Sequence, residues 1–491
     1  MMRPEPAPTT AAGVELSRVH LVGVGGAGMS AIARILADRG LDVSGSDVKD
    51  SAVLAALSVR GVRTVVGHRP ENLDLFGEQG PTAVVVSTAI RPDNPELVAA
   101  RARGIAVVRR ADALAALMIG RRSICIAGTH GKTSTTSMLT VALQHAGVDP
   151  SFAIGGELNE SGSGAHHGSG DLFIAEADES DSSFLAFAPQ GAIITNLEPD
   201  HLDHHGSAEA YAAVFDAFVR RIVSGGFLIV CLDDAGVRAL LDRLQRNSSG
   251  VPEGLRVIGY GTAADAPIRI TAFGVDGPFS RAELVLPDGT SAAIELAVPG
   301  EHMLRNATAA FTAGVLAGVS PATMVEGLAS YTGVRRRFQF KGKAAGVTVY
   351  DDYAHHPTEV RAQLEAARTV VPAGGRLVVV FQPHLYSRTA TFAPEFAAAL
   401  SLADVVVVLD VYGAREDPQP GVTGALIADA VSAPEVIFEP SLARAADVVG
   451  GLVRIDDVVV TMGAGDVTML GPEILDRLDA GPDPDGALGH A

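Results

Sequence analysis

The sequence predicts an α/β protein built on parallel sheets and divided into three domains. Short runs of β-branched and aliphatic residues alternate with Ala/Leu-rich helical stretches along nearly the whole chain. The runs are continuously apolar, as strands covered on both faces are, and the stretches between them are long enough for crossover helices. At roughly 150 residues per domain, 491 residues make about three domains.

Strands are predicted at 19–24, 41–44, 84–88, 123–127, 172–176, 192–196, 227–232 and 256–260, then at 347–351, 377–381, 405–409 and 458–462. Residues 268–298 lack helical periodicity and carry Pro287-Asp288-Gly289, which predicts a small antiparallel excursion. Boundaries fall near 120 and 334, each shortly before a strand that opens a new set of motifs, giving domains 1–120, 121–333 and 334–491. The Gly/Pro/Asp-rich tail from Ala480 is expected to be disordered.

Composition narrows the function. Lys+Arg is 38 and Asp+Glu 57, a net charge of −19. That balance argues against a general nucleic-acid binder and against a polybasic membrane anchor, but leaves room for a local anion pocket. Only four of the basic residues are lysines: Lys49, Lys132, Lys341 and Lys343. Cys125 and Cys231 lie far apart in apolar runs, which argues against a disulfide framework or a cysteine zinc site. No apolar run nears the ~18 residues of a membrane span, and the Pro/Ala/Thr-rich start lacks a signal-peptide core. A soluble cytoplasmic protein is expected.

Four constellations carry chemistry. After the first strand, Gly23, Gly25 and Gly28 match G-x-G-x-x-G and a helix follows, with Gly26 between them. Such a turn brings backbone N–H groups up to a diphosphate, and Asp47, 19 residues beyond Gly28, stands where an acid meets ribose. The pattern fits NAD, FAD or a UDP-sugar alike, or a turn that only packs helix on strand. After the strand at 123–127 comes Gly128-Thr129-His130-Gly131-Lys132-Thr133-Ser134 and another helix. Its Gly-Lys-Thr end is that of a P-loop, in which amides and a lysine hold phosphates and a hydroxyl holds Mg²⁺. Ile126 stands where the full motif has glycine, so the loop is a variant.

Glu176-Ala177-Asp178-Glu179-Ser180-Asp181 follows the next strand, and Asn196 to Gly206, with Glu198, Asp200, His201, Asp203, His204 and His205, the one after. Carboxylates at strand ends beside a P-loop suit Mg²⁺ with ATP better than zinc. In the last third, Asp351 to Glu359, Gln382 to Thr389 and Gly463 to Asp466 each follow a strand, suggesting a second ligand face on which Arg388 clamps a carboxylate.

Together these residues resemble the Mur ligase family over roughly 17–475. The Gly-Thr-His-Gly-Lys-Thr loop at 128–133 is typical of it, which makes the variant P-loop the family's own form. Gly-Gly-Ala-Gly-Met-Ser, Glu-Ala-Asp-Glu-Ser-Asp, Asp-Asp-Tyr-Ala-His-His-Pro-Thr-Glu and Gln-Pro-His-Leu-Tyr-Ser-Arg look like the member that adds the first amino acid. The resemblance implies a Rossmann-like UDP-sugar domain, a central ATP domain and a Rossmann-like amino-acid domain. It implies ATP-dependent joining of L-alanine to the lactoyl carboxylate of UDP-N-acetylmuramate through an acyl phosphate, by a monomer or homodimer. By resemblance, Gly25, Gly26, Gly28, Asp47, His68, Ser87 and Arg110 bind the sugar nucleotide. Lys132 meets the γ-phosphate; Thr133, Glu176 and His201 hold Mg²⁺; His302, Asn306, Arg337 and Asp352 serve the rest of ATP. Met303 replaces the first Asn of the family's base-binding segment, and Arg336-Arg337 match its hinge. Tyr353, His355, His384 and Arg388 bind alanine. The carbamylated lysine of several relatives is absent, because no lysine lies between 132 and 341.

Three rival readings accompany this one: a relative that attaches a preformed peptide, an NAD-dependent dehydrogenase on the first glycine turn, and a P-loop switch that hydrolyses nucleotide without an acceptor.

Overall fold

A computed structural model describes residues 6–414 and 416–480; the tail expected to be disordered lies beyond Ala480, outside them. The described residues form three sheets. They form two compact units. One runs to Thr271 and includes Glu283–Ile294 and Arg305–Tyr331; the other comprises Ala272–Ala282, Glu295–Leu304 and the chain from Thr332.

The first sheet has five parallel strands in the order Arg63–Val66, Asp42–Asp47, Arg18–Val22, Ala83–Val86, Ala106–Arg109. Arg18–Val22 sits where the order reverses, so its carboxyl end opens a crevice, and the glycine turn lies there.

The second sheet has ten strands, with Arg122–Ala127 between Gly191–Ile194 and Leu172–Glu176. The phosphate loop and both acidic segments therefore leave adjacent parallel strands at the same end. Ile268–Asp276, Phe279–Val285 and Ser291–Leu296 are neighbours at one edge. Their short links fit the antiparallel excursion. The first sheet and the strands of the second from Arg122–Ala127 to Arg256–Gly261 lie in one unit, and one apolar core runs from Leu16 through Met118 to Ala266.

The third sheet orders Gln339–Ala344, Val347–Asp352, Val458–Met462, Leu377–Phe381, Val405–Val408 and Glu435–Phe438; only the first pair is antiparallel. Alternate residues of one strand enter opposite cores: Val379 and Phe381 one, Val378 and Val380 the other. Among the described residues no helix is long and apolar enough to cross a membrane.

The helix Lys132–His145 is buried on nearly every side yet rich in Thr and Ser. Thr136, Ser137 and Thr140 donate to the carbonyls of Lys132, Thr133 and Thr136 at 2.7–2.8 Å, which satisfies hydroxyls that burial would otherwise strand. The helix Pro321–Ala329 packs on it through Gly327. A Cβ there would come within 2.7 Å of Ala142 Cα. Gly327→Ala is expected to force the two helices apart and lower stability by about 1–3 kcal/mol, read as a lower melting temperature.

Candidate functional site

The phosphate loop is held in shape by the strand end beside it. Thr195 Oγ1 donates to His130 O at 2.6 Å, Asn196 Nδ2 to the same oxygen at 3.1 Å, and His130 N to Asn196 Oδ1 at 2.8 Å. Thr129 Oγ1 meets the Tyr211 hydroxyl at 2.9 Å and also bonds the backbone of Glu198. Gly128 and Gly131 have φ of +128° and +80°. A Cβ would strike the Thr195 hydroxyl at the first and come within 2.7 Å of Asn306 Oδ1 at the second, so only glycine fits this cradle. Ser134 is buried in the first turn of the following helix.

Lys132 is committed inside the loop. Its Nζ donates to Gly128 O at 2.7 Å and Thr129 O at 3.0 Å, and lies 2.8 Å from Glu179 Oε2. Glu179 is 1% exposed and its Oε1 also receives the Tyr211 hydroxyl at 3.4 Å. Burial works against the Lys132 charge, but Glu179 and Asp178 outweigh it and its pKa stands above the usual lysine value. Burial, with help from Asp178, pushes Glu179 up to about 7 against the pull of Lys132. The acidic run alone does not distinguish Glu179 from its neighbours; only the fold turns it toward the lysine.

Glu176 receives the Thr133 hydroxyl at 3.1 Å and the Gly155 N–H at 2.8 Å. A hydroxyl and a carboxylate at a strand end are hard oxygen donors, and this donor set fits Mg²⁺. His201 comes after the strand Gly191–Ile194, on the other side of the phosphate-loop strand, and is left-handed at φ +50° with Nε2 3.6 Å from Asp200.

In the first sheet, Asp47 ends its strand and accepts Gly25 N–H at 2.9 Å, clasping the glycine turn. Gly26 precedes the helix Ala27–Asp38. Ser87 follows the strand Ala83–Val86. Arg110 lies over Gly28, where an added Cβ would approach its Nη1 to 2.5 Å, and its Nη2 is 3.6 Å from Asp178. Thr88 donates to Asp181 at 3.3 Å. The glycine turn of the first sheet and the acidic run of the second thus meet within one unit. Burial would raise the Asp178 pKa, but Lys132 and Arg110 prevail and hold it below the ordinary range. His68 bonds Ser46 and Glu96 through Nδ1.

In the other unit, Tyr353, His355 and His384 form a chain of rings at 5.3 and 5.9 Å, and Arg388 Nη1 lies 3.4 Å from His384 Nδ1. Tyr412 stacks on His384 at 5.9 Å, a partner that its sequence position does not signal. Arg336 and Arg337 lie over the Tyr353 ring at 4.6 and 5.2 Å. Arg336, at φ +61°, also donates to Gly463 O and Gly465 O. The His302 ring turns back against Gly300, and Met303 is buried like a core residue. Asp352 is buried, with its oxygens taken by the N–H groups of Phe338 and Ala354, each at 2.7 Å. It therefore serves the backbone in this form.

These geometries accompany clear similarities to known proteins. Family models described as the Mur ligase family catalytic domain, the Mur ligase middle domain and the Mur ligase glutamate ligase domain match residues 18–122, 126–314 and 336–465. The chain belongs to the Mur ligase family. It is 62% identical over 466 residues to a UDP-N-acetylmuramate–L-alanine ligase of Saccharopolyspora erythraea, covering 94% of each chain. It is 56% identical to that of Mycolicibacterium smegmatis, covering 94% of this chain and 95% of the other. The solved UDP-N-acetylmuramate-alanine ligase of Thermotoga maritima superposes with a TM-score of 0.77 at 28% identity, covering 95% of this chain and all of that one.

Burial pushes the Asp352 carboxyl up to about 6, against the pull of Arg337 and two backbone N–H groups. A raised carboxyl pKa favours the protonated folded chain, so its contribution is lost as pH climbs from the unfolded value of about 4 toward 6. Asp352→Asn cannot titrate. Its melting-temperature deficit against the parent should be largest near pH ~4 and shrink by pH ~7; an equal deficit across that range would contradict the assignment.

Proposed function

We propose that this chain is an ATP-dependent ligase that joins L-alanine to the lactoyl carboxylate of UDP-N-acetylmuramate in peptidoglycan precursor synthesis. The observation that carries the reading is the meeting of the sugar-type glycine turn and the phosphate loop in one unit, across Arg110 and Asp178. A dehydrogenase or a nucleotide switch has no use for that pairing.

The lactoyl carboxylate oxygen attacks the γ-phosphorus of ATP and the bond to the bridging oxygen breaks, so ADP leaves and an acyl phosphate forms. The alanine amine, having shed its ammonium proton, attacks the acyl carbon. The carbon–oxygen bond breaks, phosphate departs, and the amide nitrogen loses a second proton. The first step brings two anions together, so catalysis is positioning and charge neutralisation. Lys132 supplies the fixed cation, leaving Glu179 to meet the γ-phosphate. Loop amides from Thr129 to Ser134 cradle the phosphates and Asn306 lines them beside Gly131. Thr133, Glu176 and His201 would hold Mg²⁺, which neutralises phosphate charge when bound. Gly25, Gly26, Gly28, Asp47, His68, Ser87 and Arg110 hold the UDP-sugar. Tyr353, His355, His384 and Arg388 hold alanine, the guanidinium on its carboxylate. We assign these tasks to domains 1–120, 121–333 and 334–491 and place the reaction in the cytoplasm.

The decisive assay follows ADP release with UDP-N-acetylmuramate, first without and then with L-alanine. Sustained turnover should require both, and a tripeptide should not replace alanine. Lys132→Ala should lose at least ~100-fold in alanine-dependent ADP release; near-normal release would remove the loop from the mechanism. Arg388→Ala should raise the alanine KM about tenfold or more with little change in the KM for ATP. An unchanged alanine KM would exclude the carboxylate clamp.

A further inference from the structure

The first sheet buries a polar cluster that the mechanism above does not use. One face of its central strands packs on the helix Pro95–Ala102 and is otherwise apolar, with Val22, Val84, Leu97 and Ala100. On that face sit His20, Ser44 and Ser46, all unexposed, around Glu96, which is also 0% exposed. Burying a carboxylate there is costly unless every lone pair finds a donor. Glu96 Oε2 lies 2.6 Å from Ser46 Oγ, 3.2 Å from His68 Nδ1 and 3.7 Å from His20 Nε2. Oε1 takes the Asn72 amide, which also ties down Gly67 O. Burial alone would raise the Glu96 pKa, but the nearby His20 ring and hydrogen bonds from Ser46 and Asn72 outweigh it and keep the carboxyl below the ordinary range.

Ionised Glu96 can only accept. Ser46 therefore donates its proton to Glu96, and its oxygen, 2.9 Å from His68 Nδ1, accepts from that nitrogen. The network fixes the ring: Nδ1–H points inward to Ser46, and Nε2 lies on the opposite side of the ring. His68 stands just past the strand Arg63–Val66, at the carboxyl end of the sheet, where ligands bind. A packing role alone would be met by apolar residues at lower cost.

We propose that Glu96 is a positioning residue for sugar-nucleotide binding, holding His68 through Ser46 so that Nε2 faces the bound ligand. This rests on the reading above that His68 contacts the UDP-sugar.

The test is a double-mutant cycle on the full chain with Glu96→Gln and His68→Ala, measuring kcat and the KM for each substrate. Glu96→Gln should raise the KM for UDP-N-acetylmuramate about tenfold, the scale of one charge-assisted hydrogen bond, and leave kcat and the other KM values within about twofold. In the His68→Ala background it should add nothing, since its effect runs through that ring. Ser46→Ala, a smaller perturbation, should show the same pattern if Glu96→Gln does not fold. Additive effects, or a normal KM for Glu96→Gln beside an impaired His68→Ala, would overturn the proposal alone. A normal KM for His68→Ala would overturn the reading of His68 as a ligand contact, and the proposal with it.

Discussion

A parallel strand covered on both faces can display polar chemistry only where it ends. That constraint organises this protein. The phosphate loop, the run from Glu176 and the segment from Asn196 leave three adjacent strands of one sheet. The segments from Asp352, Gln382 and Gly463 leave three adjacent strands of another. Neighbouring strand ends then restrain one another, as Thr195 and Asn196 restrain His130. The site is assembled by the sheet rather than by any single loop.

Within that frame the Lys132–Glu179 pair sets the electrostatics. Removing two charges from water costs on the order of several kcal/mol per ion, and a pair this buried stabilises the fold weakly at best. It keeps a cation inside the loop, with Gly128 O and Thr129 O as further acceptors. Asp178 extends the arrangement by linking the lysine's field to Arg110 over the glycine turn.

Much of this was legible in the sequence. Twelve predicted strands all exist, because continuous apolar runs survive any choice of neighbours. Strands at or beside the sheet edges escaped: Ser151–Ala153 and Ala165–His166 are too short to form a run, and Arg63–Val66, Ala106–Arg109, Gln339–Ala344 and Glu435–Phe438 are largely part-exposed and carry charged or polar residues. Loop residues were visible as motifs, whereas their holders were not. Tyr211 sits on a helix some eighty residues from Thr129, and Tyr412 lies in a loop without any motif. Glu96 reads as an ordinary first-turn acid, and only the fold turns it inward.

Three non-glycine residues enter the site segments in the left-handed region: His201, Arg336 and Leu385, at φ +50°, +61° and +69°. Each costs about 1–3 kcal/mol that the surrounding cores must outweigh. His201 and Arg336 carry side chains that glycine could not supply, while Leu385 is buried and sets the start of the helix that carries Arg388. Relaxing these positions would make the chain sturdier while changing the backbone of these same segments. A hardened version of this chain that keeps its loop conformations has to find its gains in the cores instead.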